Sequence, residues 1–362
     1  MYSVYQHWDP LEVCIVGKSY PPEFYSFIKN TKVRTVFEKI AEETEEDYQK
    51  LVRLLESFNV EVLRPNVGDD YKWYMMYDKD PVVIQKPPMT PRDYSIMLGD
   101  KFYFKHLDLK FKDPNGNAIE QDEFNHDYIS RYTWNDITNK IKSCGNQVLK
   151  QPYPSFQPMS AAMVSRIGKD IYVGTSSTIK YDMSATKKFY SDKYPEYRWH
   201  IVDTQGHTDG SFCPVKPGLI VSLRDIQNYK ETFPDWEVVF LPDQSWSKVR
   251  QFLNLKEKNK GKWWVPGEEL NDDFTYFVEQ WMGHWVGYVE ETVFDVNMLV
   301  IDEKNVVCNN YNKQAFDAFE RHGITPHIIN FRHRYFWDGG LHCITSDISR
   351  RGTMQNYFPE RG

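Results

Sequence analysis

The sequence predicts a mixed α/β protein in which β-hairpins alternate with helices and single strands. Three observations carry this: paired apolar runs across short turns, helical periodicity between the pairs, and an extended apolar segment that follows a helix. Residues 94–104 (YSIMLGDKFYF) place Gly99-Asp100 between two apolar runs, and residues 161–174 (AAMVSRIGKDIYVG) do the same with Gly168-Lys169. Residues 212–223 (FCPVKPGLIVSL) turn at Lys216-Pro217-Gly218, and residues 297–308 (NMLVIDEKNVVC) turn at a polar DEKN. Each is a strand, a short turn of hairpin chemistry and a second strand. Residues 11–17 read as one more strand. Between the hairpins, Ile40, Tyr48, Leu51, Leu54, Leu55 and Phe58 recur at helical spacing within 38–58. A short helix is expected over 312–322, stopped by Gly323 just past its end, with a strand over 327–331. Two architectures fit this pattern: a ring of similar units, or an ordinary α+β domain with several hairpins. The turns recur every roughly 50 to 85 residues, too irregularly for a short-period solenoid.

Composition narrows the function classes. Hydrophobic residues make up 41% and charged residues 26% of the 362 positions, the balance of a soluble globular protein. The aromatic share of 16% suggests a ring-rich core or a cavity lined with rings. A net charge of -7 argues against a broad nucleic-acid face, and the one basic cluster, Arg332-His333-Arg334, is too short to provide it. No apolar run approaches a membrane span, so no membrane partner is expected. Residues 1–10 carry neither a basic n-region nor an apolar h-region. The five cysteines, Cys14, Cys144, Cys213, Cys308 and Cys343, are scattered and form no C-x-x-C pair. Neither a disulfide framework nor a metal site is expected, and a reducing cytoplasm is the simplest compartment. The charged stretch 256–262 reads as an insertion.

Three segments carry candidate chemistry. In Asp338-Gly339-Gly340-Leu341-His342-Cys343 two glycines let the backbone turn tightly ahead of a cysteine, and Arg350-Arg351 lies downstream. A nucleophilic thiol needs a nearby positive charge, a helix N-terminus or a base. His342 is adjacent, but neighbours on a strand point to opposite faces, so the base is expected elsewhere. On its own the cysteine also fits a small buried hydrophobe. In Gly206-His207-Thr208-Asp209-Gly210, residues two apart on an extended backbone share a face. His207 would then serve as acid and base while Asp209 pairs with a cation; a polar turn between glycines is the plainer reading. Residues 87–93 (PPMTPRD) form a stiff, non-helical loop that brings Asp93 to a strand.

Together and in this order the segments resemble the amidinotransferase family. The similarity extends through GKDIY (168–172), HTDGSF (207–212), NMLVIDEKNVV (297–307), HGIT (322–325) and GGLHCITSDISRRGT (339–353), the last being the most specific. The resemblance implies a five-bladed α/β propeller (the pentein fold) over a single domain, 1–362, around one cofactor-free pocket. It implies small-molecule partners, a guanidine donor and an amine acceptor, and a possible homodimer. It also implies a ping-pong reaction in which Cys343 attacks the guanidinium carbon, His207 shuttles the proton, Asp209 holds the cation and Asp93 lines the region of the substrate tail.

The sequence departs from the family pattern at three places. An ungapped match puts Ser160 where the family has a catalytic aspartate, and a hydroxyl supplies no charge. It puts Ile226 at the arginine that clamps the substrate carboxylate, with Arg224 two residues earlier. Glu290-Glu291 stand where a pair of serines meets the substrate tail. An acidic pocket with Glu291 suits an amine better than an α-amino acid. Glu291, Asp295 and Asp338 are candidates for the missing carboxylate, and a local shift of alignment would make Arg224 the clamp. A guanidine-modifying hydrolase and a non-catalytic binding relative are the alternative functions.

Overall fold

Five three-stranded sheets frame the chain, in a computed structural model that describes residues 1–67, 75–77, 82–84, 86–104, 111–112, 118–119, 133–150, 161–175, 183–204, 207–223, 225, 228–241, 265–268, 270–282 and 295–361. Four of the sheets grow from the hairpins read in the sequence. The first runs β3 (Ser95–Leu98), β4 (Lys101–Phe104), helix α2 (Asn135–Ser143) and β5 (Gln147–Lys150). The second runs β6 (Val164–Ile167), β7 (Asp170–Thr175), α3 (Met183–Lys193) and β8 (Arg198–Asp203). The third runs β9 (Phe212–Lys216), β10 (Leu219–Ser222), α4 (Tyr229–Thr232) and β11 (Glu237–Phe240). The fourth runs β12 (Leu299–Asp302), β13 (Asn305–Cys308), α5 (Lys313–Arg321) and β14 (Thr325–Ile328). In every one the hairpin is antiparallel and the strand after the helix joins parallel to the second strand. A parallel partner needs a crossover, and each helix is that crossover.

The fifth sheet is built from both ends of the chain. β1 (Leu11–Val16) pairs antiparallel with β15 (Thr345–Arg350), and after α1 (Thr31–Ser57) the strand β2 (Glu61–Leu63) joins parallel to β1. This repeats the pattern of the other four and makes the fold a five-bladed α/β propeller. Of the two architectures the sequence left open, the ring is the one observed.

Some boundaries move. Helix α1 starts at Thr31 rather than near residue 38, because the Asn30 side chain accepts from the backbone N–H groups of Lys32 and Val33 and caps an earlier turn. Strand β14 covers Thr325–Ile328 rather than 327–331. Residues 91–94, expected as non-helical loop, form one helical turn, Pro91–Tyr94, with Pro91 at the first position, where a missing N–H costs nothing. Arg332 and His333 form no basic patch: Arg332 is tied to Asp47, Glu46 and Glu43 of α1, and His333 to Glu43.

The first strands of the blades face one another in a polar hub. β15 (TSDISR) is buried at all six positions, although five of them are polar or charged and only Ile348 is apolar. Asp347 has no exposed side-chain surface and accepts from Arg166 at 2.7 and 2.8 Å and from Arg350 Nε at 2.7 Å, with Arg92 at 3.1 Å. Burial pushes the Asp347 carboxyl up, but Arg166, Arg350 and Arg92 outweigh it and hold it well below the usual range. The arginines also tie blades together through carbonyls, Arg166 to Met97 and Arg350 to Val300. Apolar clusters fill the space between the sheets and the helices outside them.

Candidate active site

Five short segments, each leading into the first strand of a blade, converge at one end of the hub. They carry Asp93 before β3, Ala161–Met163 before β6, His207 and Asp209 before β9, Asn297 before β12, and Cys343 before β15. Because the five strands run side by side around the hub, residues scattered over 250 positions of sequence meet in a single place.

Cys343 and His342 lie in a turn between the helical turn Arg334–Trp337 and β15, not on a strand. Their side chains therefore do not point apart. His342 Nδ1 is 2.9 Å from Asp209 Oδ2, and the Cys343 thiol points at the same oxygen at 3.3 Å. The expectation that His342 faces away is thus corrected. Arg350-Arg351 also plays another part than charging the thiol: Arg350 is buried on Asp347, and Arg351 extends to Glu12 at the surface. Arg92 lies closer, donating from Nε to the carbonyls of His342 and Thr345 at 2.8 and 2.9 Å and so bracing the turn from below.

The turn is braced on its other side by Asn297, buried to 1% exposure. Its Oδ1 accepts from the backbone N–H groups of His342 and Cys343 at 2.9 and 3.1 Å. Its Nδ2 donates to the Asp209 carbonyl at 3.2 Å and to Cys343 Sγ at 3.0 Å. Gly340 makes room for it: a Cβ there would lie 2.6 Å from Asn297 Oδ1. The double glycine before the cysteine thus has a steric reason.

Electrostatics assign protonation states. Burial pushes the Asp209 carboxyl up, but the His342 hydrogen bond and the His342, His207 and Arg92 charges bring it below the usual range. Burial lowers the His342 imidazole to about 4, with Arg92 acting in the same direction and Asp209 opposing. At neutral pH the pair is a carboxylate and a neutral imidazole, so the shared proton sits on His342 Nδ1. Asp209 Oδ1 is buried with no hydrogen-bond partner among the described residues. A buried carboxylate oxygen left open beside a thiol is a ready acceptor for a planar N–H cation.

His207 lies at the more open side. Its Nδ1 is 3.8 Å from Asp93 Oδ1, with about a third of its side chain exposed. Residues 208–210 form a tight helical turn, so His207 and Asp209 are related by a turn rather than sharing one face of a strand. Of the carboxylates weighed for the histidine, Asp295 is bonded to Asn310 and Asn312. Asp338 takes a left-handed backbone (φ 54°) at the end of its helical turn. Burial and the nearby Asp93 and Asp209 charges raise its carboxyl pKa, against Lys86 and His207. Ser160, Arg224, Ile226, Glu290 and Glu291 lie outside the described residues. Among the described residues no cluster of His, Cys, Asp and Glu has the geometry of a metal site, and no helix is long and apolar enough to cross a membrane.

No family model matches the sequence. Whole-length relatives do. The mitochondrial glycine amidinotransferase of Xenopus tropicalis is 24% identical over 397 aligned positions, covering 98% of this chain and 84% of its own. The corresponding protein of Gallus gallus is 26% identical with the same coverage. By sequence the chain is similar to amidinotransferases over nearly its whole length. The solved structures of two amidinotransferases carry the same fold. SxtG of Microseira wollei superposes with a TM-score of 0.66 at 18% identity, and inosamine-phosphate amidinotransferase StrB1 of Streptomyces griseus with 0.64 at 18%; each comparison covers 99% of both chains. Within this amidinotransferase fold, two residues of the described site escaped the sequence reading. Asn297 stands at the head of an apolar run and reads as the start of a strand. His342 carried a signal, adjacency to the cysteine, which the assumption of a strand removed.

Proposed function

We propose that the chain transfers an amidino group from arginine or a similar guanidine to an amine, by a ping-pong route through an amidino-cysteine on Cys343. One observation carries the reading. The Cys343 sulfur lies 3.3 Å from the Asp209 carboxylate, whose buried Oδ1 has no hydrogen-bond partner among the described residues, a pairing that fits a guanidinium held by its N–H groups with its carbon over the sulfur. The thiolate adds to that carbon. The C–N bond to the donor amine then breaks, and the leaving nitrogen takes a proton from His207. The acceptor amine adds to the amidino-cysteine, gives its proton to His207, and the C–S bond breaks to return the thiolate. Asp93, beside His207, orients the imidazole in this scheme. Glu291, Ser160 and either Arg224 or its neighbours would complete the region that meets the substrate tail.

The relatives bear on the acceptor. Their names give glycine and an inosamine phosphate, and a further relative, 22% identical over 61% of this chain, is an L-arginine:L-lysine amidinotransferase of Pseudomonas savastanoi pv. phaseolicola. The acceptor varies while the amidino chemistry is shared, so an amine acceptor is the level at which function is proposed. We also read residues 1–362 as one catalytic unit, since the fifth blade needs both ends of the chain. All five cysteines are free, in keeping with a reducing, cytoplasmic setting. A homodimer is proposed on the resemblance and is checked by sedimentation.

The test is product analysis with guanidine-labelled arginine and a panel of amines. Label in a new guanidine, abolished in Cys343→Ala, supports the reading. Citrulline formed without any acceptor points to a hydrolase, and binding without turnover, unaffected by Cys343→Ala, points to a binding protein.

A further inference from the structure

We propose that Asn297 is a catalytic residue, whose side-chain NH2 group holds the Cys343 sulfur as a thiolate and whose carbonyl oxygen fixes the turn that carries it. The inference rests on Cys343 as the nucleophile but concerns a residue outside the three segments that marked the site in sequence.

The partners of the Asn297 amide fix its orientation. An asparagine can turn its oxygen or its nitrogen toward a given neighbour, and the partners decide which. Here two backbone N–H groups, those of His342 and Cys343, point at one end of the Asn297 amide at 2.9 and 3.1 Å. N–H groups only donate, so that end is the oxygen. The other end meets the Asp209 carbonyl, which only accepts, at 3.2 Å, so it is the NH2 group. One N–H of that group goes to the Asp209 carbonyl and the other to Cys343 Sγ at 3.0 Å. All three independent partners agree, and the group facing the sulfur is a donor. The Asn297 backbone is held in turn by Asn309, whose Nδ2 donates to its carbonyl at 3.2 Å.

A fixed donor at 3.0 Å favours the charged form of sulfur. Two features of the described surroundings work against that form. Cys343 is only 7% exposed, and Asp209 Oδ2 lies 3.3 Å from Sγ. Burial and a neighbouring carboxylate both oppose a thiolate. His342 is neutral and donates to that same carboxylate, so it offsets part of the negative charge without supplying a full positive one. Among the described residues, Asn297 donates directly to the sulfur and acts the other way. Ionisation breaks the S–H bond, leaves the electron pair on sulfur and passes the proton to solvent; the Asn297 N–H remains as the sulfur's donor. Because the same amide ties His342 N and Cys343 N to Asp209 through one rigid plane, it also keeps sulfur and carboxylate in register.

The test reads thiol ionisation rather than turnover. Cys343 is alkylated with iodoacetamide across a pH series in the full chain, and the modified peptide is quantified separately from the other four cysteines. In Asn297→Ala the apparent thiol pKa should rise by about one unit or more, a roughly tenfold slower alkylation at any pH below it. Asn297→Asp keeps an oxygen acceptor for both N–H groups, and should fold even if the alanine variant does not. It loses the donor and adds a negative charge, so its thiol pKa should rise as well. A folded variant of either kind with the wild-type pH profile would overturn the proposal. Retention of amidino transfer in Cys343→Ala would instead sink the function reading, and the two failures are separate.

Discussion

Replacing Asp347 by Asn should destabilise the whole propeller, because the carboxylate is the counter-charge of its hub. Arg92, Arg166 and Arg350 all reach it within 3.1 Å, and all four side chains are at most 1% exposed. Asparagine keeps the shape and one acceptor oxygen but removes the charge. Breaking a buried ion pair by removing one partner costs about 3–5 kcal/mol, since the surviving charge stays buried. The three arginines share one carboxylate and keep their carbonyl partners, so a total near 4 kcal/mol is expected rather than three times that value. An unfolding entropy of about 2.1 cal/mol/K per residue converts this into a fall in melting temperature of roughly 5 °C for a chain of this length. Thermal unfolding followed by circular dichroism measures it. The deficit should hold at every pH above the ordinary carboxylate range, because a depressed pKa stabilises there and that stabilisation fades as pH falls through the folded value. A variant melting within about 1 °C of wild type would refute the view of the hub as an electrostatic keystone.

Three further outcomes are expected. With its folded pKa near 4 against an ordinary 6.5, His342 takes up a proton in the unfolded chain first, so its contribution to stability is present at neutral pH and lost as pH falls from 6.5 toward 4. That part of the acid destabilisation, roughly 3 kcal/mol, should disappear from urea titrations of His342→Asn. Gly340→Ala places a methyl against Asn297 and displaces the Cys343 turn; kcat should fall about a hundredfold with little change in melting temperature. If Asp209 holds the substrate cation as proposed, Asp209→Asn removes that charge, and kcat/KM should drop by about two to three orders of magnitude, with guanidine binding weakened in calorimetry.

The sequence was most legible where short-range chemistry decides structure. Gly99-Asp100, Gly168-Lys169 and Lys216-Pro217-Gly218 announce their hairpins, and Gly99, Gly168 and Gly218 all take positive φ in the structure. Ring closure left no local sign, because Val16 pairs with Thr345 across almost the full chain. The run TSDISR looks like a solvent-facing strand by composition, yet it is wholly buried, since the charges that satisfy Asp347 come from Arg92 and Arg166 on other blades. Cys343, the proposed nucleophile, stands out in sequence by its glycines and its long flanking match. Its setting does not. Asn297 reaches the sulfur from another blade, and His342 turns toward Asp209 because its backbone is a turn rather than a strand.

The central claim is covalent chemistry at Cys343, and peptide-level mass spectrometry after brief incubation with arginine, without an acceptor amine, tests it most directly. An amidino adduct on the Cys343 peptide is predicted, absent in Cys343→Ser and discharged when an acceptor amine is added. Turnover of arginine into a new guanidine with no adduct at Cys343, or undiminished turnover by Cys343→Ser, would contradict the account.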